Sequence, residues 1–306
     1  MENNAKQIKR VRHICGISGG KDSTGLAILL HKKVPNLEFF FCDTEKELPE
    51  TYEYLDRVES RLGIKIKRLK AKIGFDKWLE MHGNFLPSAQ ARWCTPKLKL
   101  KPLEDFVGDD IAYSYIGIRA DEDRGGYFST KNNIQPVYVY KEKDFKIVRF
   151  GTEIYNQQKV INDFNKLGIS LPITNDGYDI SDVKTLLTDS GIGLPKYYEW
   201  RTRSGCYFCF FQRQHEWVGL SERHPELFKK ASNYEKINPD GTRFTWIQGR
   251  TLKELLENKD IIIKEHNKKM IKEKAKKTSS KKTLCDILET VLDDDDLGKP
   301  CLTCTL

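Results

Sequence analysis

The chain has 306 residues, 39% of them hydrophobic and 31% charged, with a formal net charge of +8. No apolar run approaches the roughly 20 residues that cross a bilayer, and the opening MENNAKQIKRVRH lacks the apolar stretch of a secretory signal. Membrane-spanning and secreted proteins are thereby set aside, a cytoplasmic α/β protein with one core and an appended region is expected, and the positive charge points to a polyanionic partner.

In chain order, strands are predicted at Val11–Cys15, Leu37–Cys42, Ile64–Leu69 and Ile111–Ile118. Helices are predicted at Ser23–Lys32, Pro49–Leu62 and Phe75–His82 between them. This alternation implies a doubly wound, mostly parallel sheet with helices on both faces, whose ligands bind beyond the carboxyl ends of the strands. A strand at Val137–Tyr140 and helices at Thr152–Leu167 and Ser181–Gly191 follow, then a loop rich in Arg and Cys over Tyr197–Gln212. Glu222–Ser232 and Thr251–Glu257 read as helices, and Lys264–Lys282, with nine lysines, as a solvated helix or linker or a nucleic-acid contact. A short helix over Leu284–Leu292 runs into the acidic Asp293–Asp296 and a tail with Cys301 and Cys304. The expected division is 1–125 for the nucleotide-binding core, 126–260 for a smaller helical, cysteine-containing region, and 261–306 for a basic linker with a tail.

The strand-to-helix turn RHICGISGGKDS, Arg12–Ser23, is the first place where chemistry is expected. Gly16, Gly19 and Gly20 let the backbone turn sharply and bring its N–H groups to an anion. The helix start adds free donors and a positive dipole end. Ser18, Lys21, Asp22 and Ser23 add hydroxyls, a cation and a carboxylate. An ordinary loop capped by Asp22 or Ser23 is the alternative. The spacing matches neither a Walker A loop nor the dinucleotide fingerprint.

Two further strand ends and one cationic segment carry polar groups. CDTEKELPET offers Asp43 as a contact for ribose or base and Glu45 or Glu47 for magnesium. IGIRADEDR brings out Arg119, whose fork matches phosphate, beside Asp121, Asp123 and Arg124. ARWCTPKLKLKPL sets Cys94 among Arg92, Lys97, Lys99 and Lys101, charges that favour the thiolate. In RTRSGCYFCFFQRQHEW, Cys206 and Cys209 form a CxxC. With Cys94 they give three thiolates for a [4Fe–4S] cluster, or with His215 or His224 a set for zinc; a reduced, metal-free pair is the third possibility.

These motifs together resemble a known family. SGGKDS is similar to the PP-loop of the N-type ATP pyrophosphatases and adenine nucleotide alpha hydrolases, which have a HUP-like fold. CDTEKELPET, IGIRADEDR and ARWCTPKLKLKPL resemble segments of its phosphoadenosine phosphosulfate (PAPS) reductase branch, and EWVGLSERHPELFKKA with FTWIQGRTLKELL resembles the ATP-pyrophosphatase component of DNA phosphorothioation systems. The resemblance covers about Arg12–Leu256. It implies ATP with Mg2+ as ligand and cleavage between the α and β phosphates. Ser18, Gly19, Gly20, Lys21, Asp22, Ser23, Asp43, Arg92, Lys97 and Arg119 would bind the nucleotide. Lys21, Asp22, Arg119 and Cys94 would be catalytic, and Cys94, Cys206 and Cys209 would bind a [4Fe–4S] cluster, with Zn2+ as the alternative.

The implied partners are a nucleic-acid acceptor and a cysteine desulfurase as sulfur donor, with no membrane and room for an oligomer. One departure bears on the reaction: the E-C-G-x-H segment whose cysteine attacks sulfur in the sulfonucleotide reductases does not occur in the 306 residues. Two alternatives stay open: a reductase using a tail cysteine, and a nucleotide-sensing subunit without turnover.

Overall fold

The computed structural model describes residues 10–122, 133–148 and 154–278. β1 (Val11–Gly16) leads through α1 (Lys21–Leu30), β2 (Leu37–Asp43) and α2 (Pro49–Leu62) to β3 (Ile66–Lys70). After α3 (Phe75–Met81), a π-helical turn at Pro96–Leu100 continues into α4 (Lys101–Val107), β4 (Ile111–Ile116) and β5 (Ile134–Tyr138). β6 (Lys146–Val148) and β7 (Ile154–Asn156) pair antiparallel ahead of α5 (Gln157–Lys166), α6 (Ile180–Asp189) and a 3-10 turn at Lys196–Glu199. α7 (Gln214–Arg223), α8 (Pro225–Asn233), the ribbon β8 (Lys236–Ile237) and β9 (Arg243–Phe244), α9 (Leu252–Leu256) and α10 (Lys259–Thr278) complete the described chain.

Two compact units result. Among the described residues the first takes in those up to Gly74 and from Thr95 to Gly205; the second takes in Phe75–Cys94 and those from Cys206 onward. The division thus interleaves along the chain, where three consecutive segments were expected.

The first unit is built on a five-stranded, all-parallel sheet of order β3-β2-β1-β4-β5. Successive strand residues point to opposite faces, and the sequence obeys this. Cys15, Phe39 and Phe41 join Leu26, Leu30, Leu55, Val58 and Val183 in one cluster. Ile14, Phe40 and Cys42 join Leu103, Val107 and Ile116 in the other. Helices therefore cover both faces, as the doubly wound reading expects. The winding reverses between β1 and β4, and the crevice at such a switch point is where α/β sheets bind ligands. The second unit has a core of aromatic rings: Phe75 stacks on Trp93 (5.3 Å) and lies tilted against Phe208 (4.4 Å), which stacks on Trp246 (5.0 Å).

Some expected elements change. The helix predicted from Thr152 begins at Gln157, because Asn156 is extended and its side chain accepts the Gln158 N–H (3.0 Å) as an N-cap. The helix predicted across Glu222–Ser232 is two helices, since Pro225 has no N–H to continue the first and starts the second. The lysine-rich stretch is helical to Thr278. Asp123, Arg124, Leu284–Leu292, Asp293–Asp296, Cys301 and Cys304 lie outside the described residues. Among the described residues no helix is long and apolar enough to cross a membrane.

Candidate nucleotide site

The turn after β1 sits at the switch point. The Ile17 N–H donates to the Phe40 carbonyl (2.7 Å), so the edge of β2 holds the chain one residue past the strand. Gly19 then adopts φ +75°, a conformation costly for any residue with a side chain, and a Cβ there would meet Thr51 Cγ2 at 2.7 Å. Gly20 is the N-cap of α1 and no side chain caps that helix, which leaves its positive end facing the turn. The Ser18 N–H donates to Ser23 Oγ (3.0 Å), and Ser23 Oγ and Ser204 Oγ both lie by Ser18 Oγ, at 3.1 and 3.2 Å. Three hydroxyls therefore cluster on the loop, one of them contributed from almost two hundred residues away.

Asp22 collects the cations. It accepts from Lys21 Nζ (3.0 Å) with one oxygen and from Arg119 Nη1 (2.7 Å) with the other. Arg119, 8% exposed, also meets Asp121 (2.8 Å) and Glu122 (3.0 Å). Burial works against its charge, but these carboxylates outweigh burial and hold the guanidinium above its ordinary pKa. Arg119, expected to clamp phosphate, is held at the start of α1 by these three carboxylates. Gly117, at the end of β4, makes the approach possible: a Cβ there would press on the Asp22 carbonyl oxygen at 3.2 Å.

The loop after β2 is equally ordered. Asp43 is buried, and one oxygen accepts the Glu45 N–H (2.9 Å) and the Tyr52 hydroxyl (2.8 Å). Glu45 is exposed and paired with Lys70 (2.6 Å), whereas Glu47 is buried and accepts from Thr44 Oγ1 (2.8 Å). A cavity of about 10 Å³, the size of one water, is lined by Ser18, Phe41, Cys42, Glu47, Lys99, Ser204 and Gly205. Burial pushes the Cys42 thiol up to about 12, with Lys99 opposing and Glu47 assisting, so it stays protonated. Lys97 lies in the π-helical turn of the same unit.

Sequence reasoning missed the segment that closes the loop. Tyr197, Tyr198 and Ser204 bond to Gly19, Lys21 and Ser18. YY and RSG in a polar stretch carry no local signal of this; only the long-range packing reveals it.

The remaining expected residues belong to the second unit. Arg92 donates to the Ala89 carbonyl (3.0 Å) and lies 4.9 Å from the Phe211 ring centre, so its guanidinium is engaged there. Cys94, Cys206 and Cys209 are half-buried thiols, and a tight turn (Cys209 N–H to Cys206 carbonyl, 3.1 Å) links the last two. Among the described residues no three His, Cys, Asp or Glu side chains are gathered to hold a metal ion. Cys94, Cys206 and Cys209 all lie in this unit, and the CxxC turn brings Cys206 and Cys209 together as two potential ligands for the cluster or zinc expected of them. Of the histidines considered for zinc, His215 is stacked on His266 (3.6 Å between ring centres) and His224 sits at the junction of α7 and α8.

The family model of the phosphoadenosine phosphosulfate reductase domain matches residues 12–209. An uncharacterized protein of Methanocaldococcus jannaschii is 27% identical over 224 residues, 70% of this chain and 45% of its own length. A second protein of that organism is 31% identical over 45% of this chain and 31% of itself. The chain thus spans less than half the length of these two relatives. The adenosine 5'-phosphosulfate reductase of Salinibacter ruber is 32% identical over 88 residues, 29% of this chain and 34% of that enzyme. Among solved structures, a phosphoadenylyl-sulfate reductase of Candida auris in complex with phosphate aligns with TM-score 0.41 and 12% identity, over 66% of this chain and 84% of that one.

Proposed function

Since the chain belongs to the phosphoadenosine phosphosulfate reductase domain family, whose members are in general nucleotide-binding enzymes, we propose that it cleaves ATP between the α and β phosphates and passes AMP to an acceptor. The observation that carries this reading is the SGGKDS turn at the sheet's switch point, with the hydroxyls of Ser18, Ser23 and Ser204 gathered on it and Lys21 beside it. An acceptor oxygen attacks the α phosphorus, the bond to the bridging oxygen breaks, and negative charge builds on the departing pyrophosphate. Loop N–H groups, the three hydroxyls and the Lys21 ammonium meet that charge without reorganising. Asp22 and Arg119 keep Lys21 at the loop rather than in solvent. Asp43, at the end of β2, is the group for the ribose or base.

ATP would enter as its magnesium complex. A nucleic acid is the acceptor class that the net charge favours. The terminal sulfur of a cysteine desulfurase persulfide would then attack the adenylated acceptor and displace AMP, and a thiol reductant would cleave the remaining S–S bond to leave the sulfur on the acceptor. Pyrophosphate release from Mg-ATP, measured with and without DNA or RNA, tests the reading. No release under any acceptor, with ATP bound, overturns it.

The second reading is reduction of a sulfonucleotide, favoured by relatives named adenosine 5'-phosphosulfate reductase. The missing E-C-G-x-H segment places it behind the first. Sulfite release from adenosine 5'-phosphosulfate with a thiol reductant, absent pyrophosphate release from ATP, would reverse the order.

A further inference from the structure

α10 lies against α7, with Ile262 buried and His266 stacked on His215. Beside this contact, residues of α10 and Glu222 of α7 line an open groove of about 510 Å³. Ile263 and Ile271 give it an apolar lining, and Ile271 is 68% exposed. Lys259, Lys264 and Lys268 line it too, and among the described residues no ion pair or hydrogen bond engages their ammonium groups. Asp260 and Glu222 are the opposing charges. Over its whole length α10 carries eight lysines against three carboxylates. A strip that mixes exposed isoleucine with such lysines suits an occupant that is apolar on one side and acidic along its flank. Nucleic acid gains nothing from the two isoleucines and is repelled by Asp260 and Glu222.

This chain contains a segment of the required kind. Five residues beyond α10 the sequence reads LCDILETVLDDDD, Leu284–Asp296. Leu284, Ile287, Leu288, Val291 and Leu292 recur at the spacing of one helix face, and six carboxylates accompany them with no lysine or arginine. The lengths agree. From Ile271 back to Ile263 α10 spans about 12 Å, and Leu284–Leu292 as a helix spans the same. The return from Thr278 to the level of Ile271 covers about 10 Å along the axis and about 8 to 10 Å across it. The six peptide steps to Leu284 reach about 20 Å. An antiparallel return sets Asp293–Asp296 beside Lys259 and the positive end of the α10 dipole.

We propose that the acidic segment Leu284–Asp296 docks in the α10 groove of its own chain, its apolar side on Ile263 and Ile271 and its carboxylates on Lys259, Lys264 and Lys268. The docking uses none of the residues assigned to the nucleotide and goes beyond the chemistry proposed for the loop.

The test is lysine footprinting of the whole chain: brief acetylation, with the rate at each lysine read by mass spectrometry. Lys264 and Lys268 are expected to react about 5-fold slower than in a variant carrying Asp293→Lys, Asp294→Lys, Asp295→Lys and Asp296→Lys together. Lys272, on α10 but outside the groove lining, should react alike in both. Equal rates at Lys264 and Lys268 overturn the proposal. Protection that vanishes on dilution would make a second copy the occupant, and protection that arises only with added DNA would make it nucleic acid; either refutes docking within the chain. Should the substituted chain not fold, carbodiimide cross-linking of the unsubstituted chain decides. Amide bonds between Asp293–Asp296 and Lys259 or Lys264 are expected within single molecules, and their absence, or their confinement to dimers, overturns the proposal.

Discussion

The two units of the molecule are held together by different means. In the first, a sheet with an apolar layer on each face leaves one edge where polar groups crowd: three hydroxyls, a lysine and an arginine sharing Asp22, and a buried Asp43. In the second, rings from Phe75–Trp93, Tyr207–Phe211 and Tyr234–Trp246 pack face to face and edge to face into a core. The contrast teaches where function and stability separate. Substitutions on the polar edge of the first unit should remove chemistry and spare the fold, and substitutions among the rings should do the reverse.

The sharpest break is at Lys21. It is half-buried and bonded to its neighbour Asp22, so Lys21→Met costs the fold little. It removes the loop's ammonium, and pyrophosphate release is expected to fall about 100- to 1000-fold. A stopped assay with an unchanged melting curve is the signature. Phe208→Ala tests the other side. Phe208 is 3% exposed and touches Phe75, Tyr207, Tyr234 and Trp246, and the cavity left behind should cost about 3 to 4 kcal/mol, read by denaturant unfolding. If Phe208→Ala left stability within about 1 kcal/mol of the wild type, the rings would not be the core of their unit.

The same contrast explains what the sequence disclosed. The alternation of β1 to β4 with helices is local, written in period-2 and period-3.6 patterns, and the structure agrees with it to within two residues at most strand ends. The loop is local as well: Gly19, Gly20, Lys21 and Asp22 are adjacent, so their grouping needs no folding. Arg119 lies 97 residues from Asp22; the strand before it put it at the right edge and Asp121 is its near neighbour in sequence, but its pairing with Asp22 was invisible. Tyr197, Tyr198 and Ser204 were missed because their bonds span 177 to 186 residues. The cysteine set was legible only as residue types and spacing: Cys206 and Cys209 share a tight turn, and among the described residues no group of three His, Cys, Asp or Glu is gathered.

Gly19→Ala crosses the boundary between the two behaviours. It combines a positive φ with a Cβ 2.7 Å from Thr51 Cγ2, and the loop must move or strain. A loss of about 2 kcal/mol is expected, together with weakened pyrophosphate binding. Thr51→Ser removes the methyl that collides. The double variant should therefore recover part of the loss, and the recovery measures how much is collision and how much is φ. Strict additivity of the two substitutions would show that Thr51 does not contribute.

The smallest expected effect is in the second unit, where the packing of α7 and α10 has a titratable component. His215, half-buried on α7, stacks on His266 of α10 with 13° between the ring planes. Burial pulls the His215 pKa from 6.5 down to about 4, His266 and Arg213 pulling the same way and Glu216 opposing. Above pH 6.5 the ring is neutral whether folded or unfolded. Between 6.5 and 4 the unfolded chain takes up a proton that the folded one refuses, so this contribution to stability falls as the pH falls. Below 4 both states are charged and the loss levels off. The ring is partly exposed, and solvent reduces the effect to less than about 1 kcal/mol. His215→Phe keeps a ring against His266 and cannot titrate. The denaturation midpoint of the variant should therefore decline less than that of the wild type from pH 6.5 to 4, and parallel curves would mean that His215 is charged in the folded protein across that range.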